Sequence, residues 1–291
     1  MIDPRQLLTD DRLGRAHPDP DNAARSGESV MFDGPLGNYD TEPADSARLR
    51  SLLQPLFSPR RMRAIRPRVA ALTDELLDAL ERSGPPADLH AGLAVPLPVL
   101  VICELLGVPY QDRDRFRRSA RDFGDVQDRA RSERGMKDLF EYGMELVARK
   151  RREPADDVIS ELCDNPELTN IEVAGLAMAL LFAGHETTVV QLGLGALSLF
   201  THAEQSQAML DDPGLLRNAV EEILRATGQH IPFGQGQDYC IGAPLARIEL
   251  EEAYSRLLQR FPTMRIAVPI QSLTIEQDTL TGGLTQLPVT W

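Results

Sequence analysis

Residues 171–200, IEVAGLAMALLFAGHETTVVQLGLGALSLF, constrain the fold more than any other stretch. At about 1.5 Å of rise per residue, a helix of this length reaches across a bilayer core. The polar block Gly184-His185-Glu186-Thr187-Thr188 falls at its centre, where a spanning segment meets the highest cost for a charge. A buried helix crossing the middle of a large helical domain fits better. Adjacent threonines and a glycine loosen the i→i−4 ladder there, because a threonine hydroxyl competes for a backbone carbonyl. An acid beside an alcohol at such an opening can deliver protons. The same block also reads as a polar spot packed against a neighbouring helix, and the residues alone leave both readings open.

With 291 residues the chain can bury a substantial core, as one large domain or two smaller ones. A formal net charge of −13 argues against nucleic acid as a partner, since backbone phosphates demand the opposite sign. Cys103, Cys163 and Cys240 show no pairing or metal-ligand spacing, which fits a reducing interior. The start, MIDPRQLLTDDR, lacks the basic first residues and apolar core of a signal peptide. The expected location is therefore the cytoplasm, with no membrane partner.

A mainly α single domain is predicted, with a reduced β portion. An irregular segment over 1–45 precedes a helical core over 46–260, and MRIAVP, SLTIEQ and LTQLPVTW supply a β element within 261–291. Residues 46–73 carry Arg48, Arg50, Arg60, Arg61, Arg63, Arg66 and Arg68 without one acid. Such a run reads either as a solvated helix face or as a docking face for an anionic group or partner.

The second informative stretch is FGQGQDYCIG, residues 233–242, just ahead of the helical run APLARIELEEAYSRLLQRF. A thiol before a helix start feels the positive end of the dipole and free N–H groups, which favour thiolate. Gly234, Gly236 and Gly242 allow close approach to a flat object. A nucleophilic thiolate needs a base, and His230, the nearest histidine in sequence, has nothing to orient it. A thiolate as the sole protein ligand of a haem iron suits the glycines better. A buried structural cysteine accounts well for Cys103 and Cys163.

Together these stretches resemble the cytochrome P450 family of haem-thiolate monooxygenases, in its soluble bacterial form. Phe233, Gly234, Gly236, Cys240 and Gly242 match its cysteine loop, and AGHETT, Ala183 to Thr188, matches its oxygen-activation segment. Glu222-Ile223-Leu224-Arg225 matches the Glu-x-x-Arg pair that braces the loop, SARLRSLLQPLFSPRRM resembles the propionate-contacting helix, and LPVTW resembles the C-terminal strand. The resemblance implies haem with Cys240 as axial thiolate, and Phe233 packed beside it. Glu186 and Thr187 would relay protons, Ala183 and Gly184 would lie at the haem with Gly184 leaving room beside the iron, and Arg50 would meet a propionate. It further implies insertion of one oxygen atom into a small apolar substrate, with electrons from a ferredoxin-type donor docking on the arginine run. The alternative is a non-catalytic relative acting as a binding or activating partner, for example of a glycosyltransferase, or a defective remnant.

The chain departs from the family pattern in three ways. On that resemblance the sequence opens at a point similar to the family's second helix, QLLTDDRLGR, so its N-terminal helix and first strands are not expected in the fold. ATGQHIPFGQG passes directly from the Glu-x-x-Arg helix to the cysteine loop without the usual strands and meander. Ser46 stands at the usual histidine position. Asp238 stands two residues before the cysteine where a cation is expected; a carboxylate about 4 Å from a propionate is repelled by about 4 kcal/mol at an effective dielectric near 20. Substrate contacts are expected from GPLGNYD and TGGLTQ.

Overall fold

Prolines, caps and glycines divide the chain into helices much as the sequence marks them. The computed structural model describes residues 19, 22, 27–33, 42–227, 232–236 and 239–291. Asp238, His230 and the GPLGNYD segment lie outside the described residues. Eleven α-helices are described: α1 (Glu42–Leu53), α2 (Pro59–Ser83), α3 (Pro96–Leu106), α4 (Arg113–Phe123), α5 (Arg129–Arg152), α6 (Val158–Asp164), α7 (Asn170–Ala183), α8 (Glu186–Thr201), α9 (Ala203–Asp211), α10 (Leu216–Thr227) and α11 (Ala243–Arg260). Helix α2 opens on Pro59, whose missing N–H costs nothing in a first turn, and stops at Gly84 with φ 70°. Helix α7 opens on a capping box in which Thr169 and Glu172 satisfy each other's backbone N–H groups. The Thr169 N–H and hydroxyl each donate to the Glu172 carboxylate at 2.8 Å, and with Arg48 alongside they push its pKa down to about 2.

The apolar run is the central helix of the core, divided into α7 and α8. Over 170–201 it is long and apolar enough to cross a membrane, yet 56% of its apolar window is buried against other parts of the protein. Val173, Ala174, Ala177 and Leu181 of α7 and Leu192 and Ala196 of α8 lie inside. Helix α11 meets α8 at one close crossing. Tyr254, fully buried, donates its hydroxyl to the Gln191 carbonyl at 2.7 Å. That reach requires Gly195, because a Cβ there would lie 1.8 Å from the tyrosine oxygen.

The arginine run resolves mostly into internal clamps rather than a solvated face. Arg48 pairs with Glu172, Arg61 with Glu161, and Arg68 with Glu104 at 3.2 Å. Arg66 grips Glu251 and Glu252 on α11, where Arg256 in turn reaches Asp74 at 2.7 Å and Arg260 reaches Glu81 at 2.9 Å. Pairing in ascending order along both helices shows α2 and α11 running in the same direction. Each half-exposed pair contributes about 0–1 kcal/mol, against about 1.5–3 kcal/mol for each large apolar side chain buried beneath, so packing stabilises the contact and the charges fix its register. Arg60 and Arg63 remain exposed, with no partner among the described residues.

The β portion is small, as expected. Three strands, β1 (Ala87–Asp88), β2 (Arg265–Ile266) and β3 (Pro288–Thr290), form an antiparallel sheet in the order β1-β3-β2. Val289 faces Ala87 on one side and Ile266 on the other. SLTIEQ contributes only a bridge from Ile275 to Leu284 around the Gly282-Gly283 turn. Strand β1 has no sequence signal, because two residues between prolines and a helix are too short to show alternation.

Two consequences of this packing can be measured. Gly195→Ala is expected to lower unfolding free energy by about 1–3 kcal/mol, the range for overpacked cores, and Tyr254→Phe in the same chain to recover part of it. Glu249 is buried with Oε2 unpartnered, and burial raises its pKa well above the ordinary carboxyl value. A raised folded-state pKa gives stability that is full below the unfolded value and lost as pH rises through the folded one. Thermal melts of Glu249→Gln and the parent chain should therefore coincide more closely at pH 5 than at pH 8, where the variant should melt higher.

Candidate active site

The central helix breaks at the polar block, and two side chains account for the break. His185, 3% exposed, donates from Nδ1 to the Leu181 carbonyl at 2.9 Å. Thr187 donates its hydroxyl to the Ala183 carbonyl at 3.3 Å. Each takes an acceptor that a regular ladder would give to the backbone N–H four residues on. The threonine effect is legible in the sequence, whereas the histidine's part is not, since imidazole competition depends on its burial edge-on against Phe116 (ring centroids 4.9 Å apart).

The block's acid and alcohol diverge. Successive helical residues point about 100° apart. Thr187 and Ala183 lie on one exposed face, while Glu186 turns towards a cavity of about 680 Å3. There the Glu186 carboxylate lies 3.0 Å from His185 Nε2. Burial opposes its ionisation, but His185, Arg121 and Thr281 outweigh that and hold its pKa below the usual value. Val189 and Val190 of α8, Arg117, Arg118 and Arg121 of α4, and Gly282 to Thr285 complete much of the cavity wall. The TGGLTQ segment thus lines a pocket as expected.

Gly184 has a packing reason for being glycine. A Cβ on it would fall 2.6 Å from the buried Ile102 side chain of α3.

The cysteine loop is set by its glycines and by two arginines. Gly234 and Gly236 both adopt φ 70°, a region that side chains disfavour, and the Cys240 N–H closes the loop on the Phe233 carbonyl at 2.8 Å. Gly242 caps α11 with φ −80° and so needs no special freedom; a Cβ there would touch the Cys240 sulfur at 3.8 Å. Arg50 of α1 reaches the loop and donates to the Tyr239 carbonyl at 2.5 Å, beside the thiol. Ser46 lies half-buried one turn earlier on α1. Arg247 of α11 lies over the Phe233 ring at 4.4 Å. Glu222 and Arg225 hold each other on α10, Arg225 Nε donating to the carboxylate at 2.8 Å, with both side chains more than half exposed.

Of the three thiols only Cys240 reaches the surface. Burial pushes Cys103 up to about 12 and raises Cys163. Cys240 differs from its sequence expectation of a lowered pKa. Crowding by the loop raises it, and the Gly242 and Ala243 N–H groups with Arg50 and Arg247 only partly offset that. One accessible thiol, two N–H groups aimed at it and an adjacent cation form a donor set that suits a single anionic sulfur ligand to a haem carrying propionates. Brief alkylation of the folded, haem-free chain is expected to modify Cys240 and spare Cys103 and Cys163, with all three reacting in denaturant. Peptide mass spectrometry checks this.

Comparison with known proteins agrees with that chemistry. The profile of the family described as Cytochrome P450 matches residues 215–273, which hold the Glu-x-x-Arg pair and the cysteine loop. The chain is 35% identical to pentalenolactone synthase of Streptomyces exfoliatus, with 99% of this chain and 88% of the relative covered. It is 32% identical to the mycinamicin IV hydroxylase/epoxidase of Micromonospora griseorubida, covering 99% and 87%. The aligned spans of 349 and 350 positions exceed the 291 residues of this chain, so the relatives hold internal sequence with no counterpart here. The structure superimposes with a TM-score of 0.87 on substrate-free cytochrome P450 PimD, a pimaricin epoxidase, at 33% identity over 99% of this chain and 87% of that one. The chain belongs to the cytochrome P450 family, whose members are monooxygenases that bind haem iron through a thiolate.

Proposed function

We propose that Cys240 is the axial ligand of a haem in this chain, and that the enzyme inserts one oxygen atom into a small apolar secondary metabolite. The observation that carries this reading is the single surface-reaching thiol, held by a two-glycine loop at the start of α11 with Arg50 beside it. When bound, haem supplies the activation of dioxygen. Arg50 supplies a cation for one propionate, and Gly234, Gly236 and Gly242 keep the loop free of side chains next to the macrocycle. Phe233, packed against the core, anchors the start of the loop, and its carbonyl accepts the Cys240 N–H.

On the other side, Ala183 and Thr187 present a small exposed surface, and the Thr187 hydroxyl is held at the break by the Ala183 carbonyl. That hydroxyl can donate and accept, so it can pass a proton along. Glu186, kept ionised at the cavity wall by His185, can take protons from cavity water. Val95, Val99, Val189, Val190 and Leu284 give the cavity its apolar lining. An acidic ferredoxin-type donor would find free cations at Arg60 and Arg63, since most other arginines of the run are committed within the chain. The proposed site of action is the cytoplasm.

Spectra of the ferrous carbon monoxide complex test the ligand. A thiolate-type Soret band that disappears in Cys240→Ala is expected. A well-folded helical chain that takes up no haem would overturn the reading and favour a non-catalytic partner role. In the loaded enzyme Thr187→Ala should lower product formed per oxygen consumed by about tenfold or more.

A further inference from the structure

The cysteine loop follows α10 almost directly, so whatever holds it must come from what remains. One side chain contacts both ends of the loop and the helix before it. Arg247 projects from the second turn of α11. Its guanidinium covers the Phe233 ring at 4.4 Å. From the same group, Nη1 donates to the Tyr239 hydroxyl at 3.2 Å. The opposite edge forms a two-point bond with Glu221 of α10, Nε to Oε1 at 2.5 Å and Nη2 to Oε2 at 3.2 Å. Phe233 and Tyr239 stand on either side of the two positive-φ glycines, with ring centroids 6.3 Å apart.

We infer that Arg247 is the positioning residue of the thiolate loop, clamping Phe233 and Tyr239 to Glu221 in a chain where α10 runs almost directly into the loop. Planarity is what makes the clamp work. A guanidinium can stack on a ring, fork onto a carboxylate and donate to a phenol at once, whereas an ammonium offers a point charge. The side chain is also the better protected partner, 26% exposed against 45% for Glu221, which separates it from the half-exposed Glu222–Arg225 pair on the same helix. Arg50 acts on the other side of the loop through the Tyr239 carbonyl, so the two arginines fix the backbone before Cys240 from both sides.

The inference rests on the haem reading for its consequence but not for its test. Hydrogen exchange of the haem-free chain reports the loop directly. Arg247→Ala should exchange about tenfold faster over 232–242, while α2 and the later turns of α11 keep their protection. Arg260→Ala, which removes a comparable arginine from the far end of the same helix, should leave loop exchange unchanged. Should Arg247→Ala fail to fold, Arg247→Lys and Glu221→Gln carry the comparison, each expected to speed loop exchange by a smaller factor. In loaded protein, Arg247→Ala should lose the thiolate-type carbon monoxide band faster on standing than the parent or Arg260→Ala. Loop exchange equal to the parent in Arg247→Ala, or equal acceleration in Arg260→Ala, would overturn the inference. Absence of haem from every variant would count against the haem reading alone, with the exchange data still deciding the clamp.

Discussion

The diversion of two carbonyls in the central helix is the interaction on which the rest of the structure depends. His185 takes the Leu181 carbonyl and Thr187 takes that of Ala183, so the helix opens at the exposed Ala183–Thr187 face. The opening is stable only because both flanks are buried. Helix α7 is packed by α5 and α3, and α8 is held from the opposite side by Tyr254. An isolated helix would close the defect by regaining its ladder; burial of the imidazole under Phe116 prevents that.

Helix α11 links this opening to the thiol. Its inner face meets α8 through Tyr254, its outer face meets α2 through graded ion pairs, and its first turns carry the cysteine loop. One helix therefore relates the opening in the central helix to the sulfur. Loss of internal sequence between α10 and the loop leaves this relation intact, because α11 is held along its length by α2 and α8 and also packs on α10. The loop itself is more exposed to that loss. Among the described residues it is held by Arg50, Arg247 and backbone closure on Phe233 and Gly236.

Much of this was legible in the sequence, and the remainder was hidden for physical reasons. The buried central helix followed from a charge-bearing block in an apolar run, and the loop from three glycines around one cysteine. The family pattern pointed to Arg50 at the haem, and the structure finds it at the Tyr239 carbonyl. The arginine run misled, since its acids lie far away in sequence at Glu161, Glu172, Glu251 and Glu252, and no local window shows them. The thiol's raised pKa was missed because a helix start suggests stabilised anions, while crowding around the sulfur depends on the folded loop. The family pattern gave Gly184 as space beside the iron, and the structure adds a packing reason invisible in the sequence, since a Cβ there would meet Ile102. Arg247 carried no motif signal, because its value lies in meeting three partners that only the fold brings together.

The central claim is that this shortened chain still holds a haem through one sulfur. Haem content per chain, measured by pyridine haemochromogen absorbance after reconstitution and gel filtration, tests it most directly. The account predicts close to one haem for each parent chain and close to none for Cys240→Ser of equal helicity. Equal haem content in both proteins, or none in a folded parent chain, would contradict it.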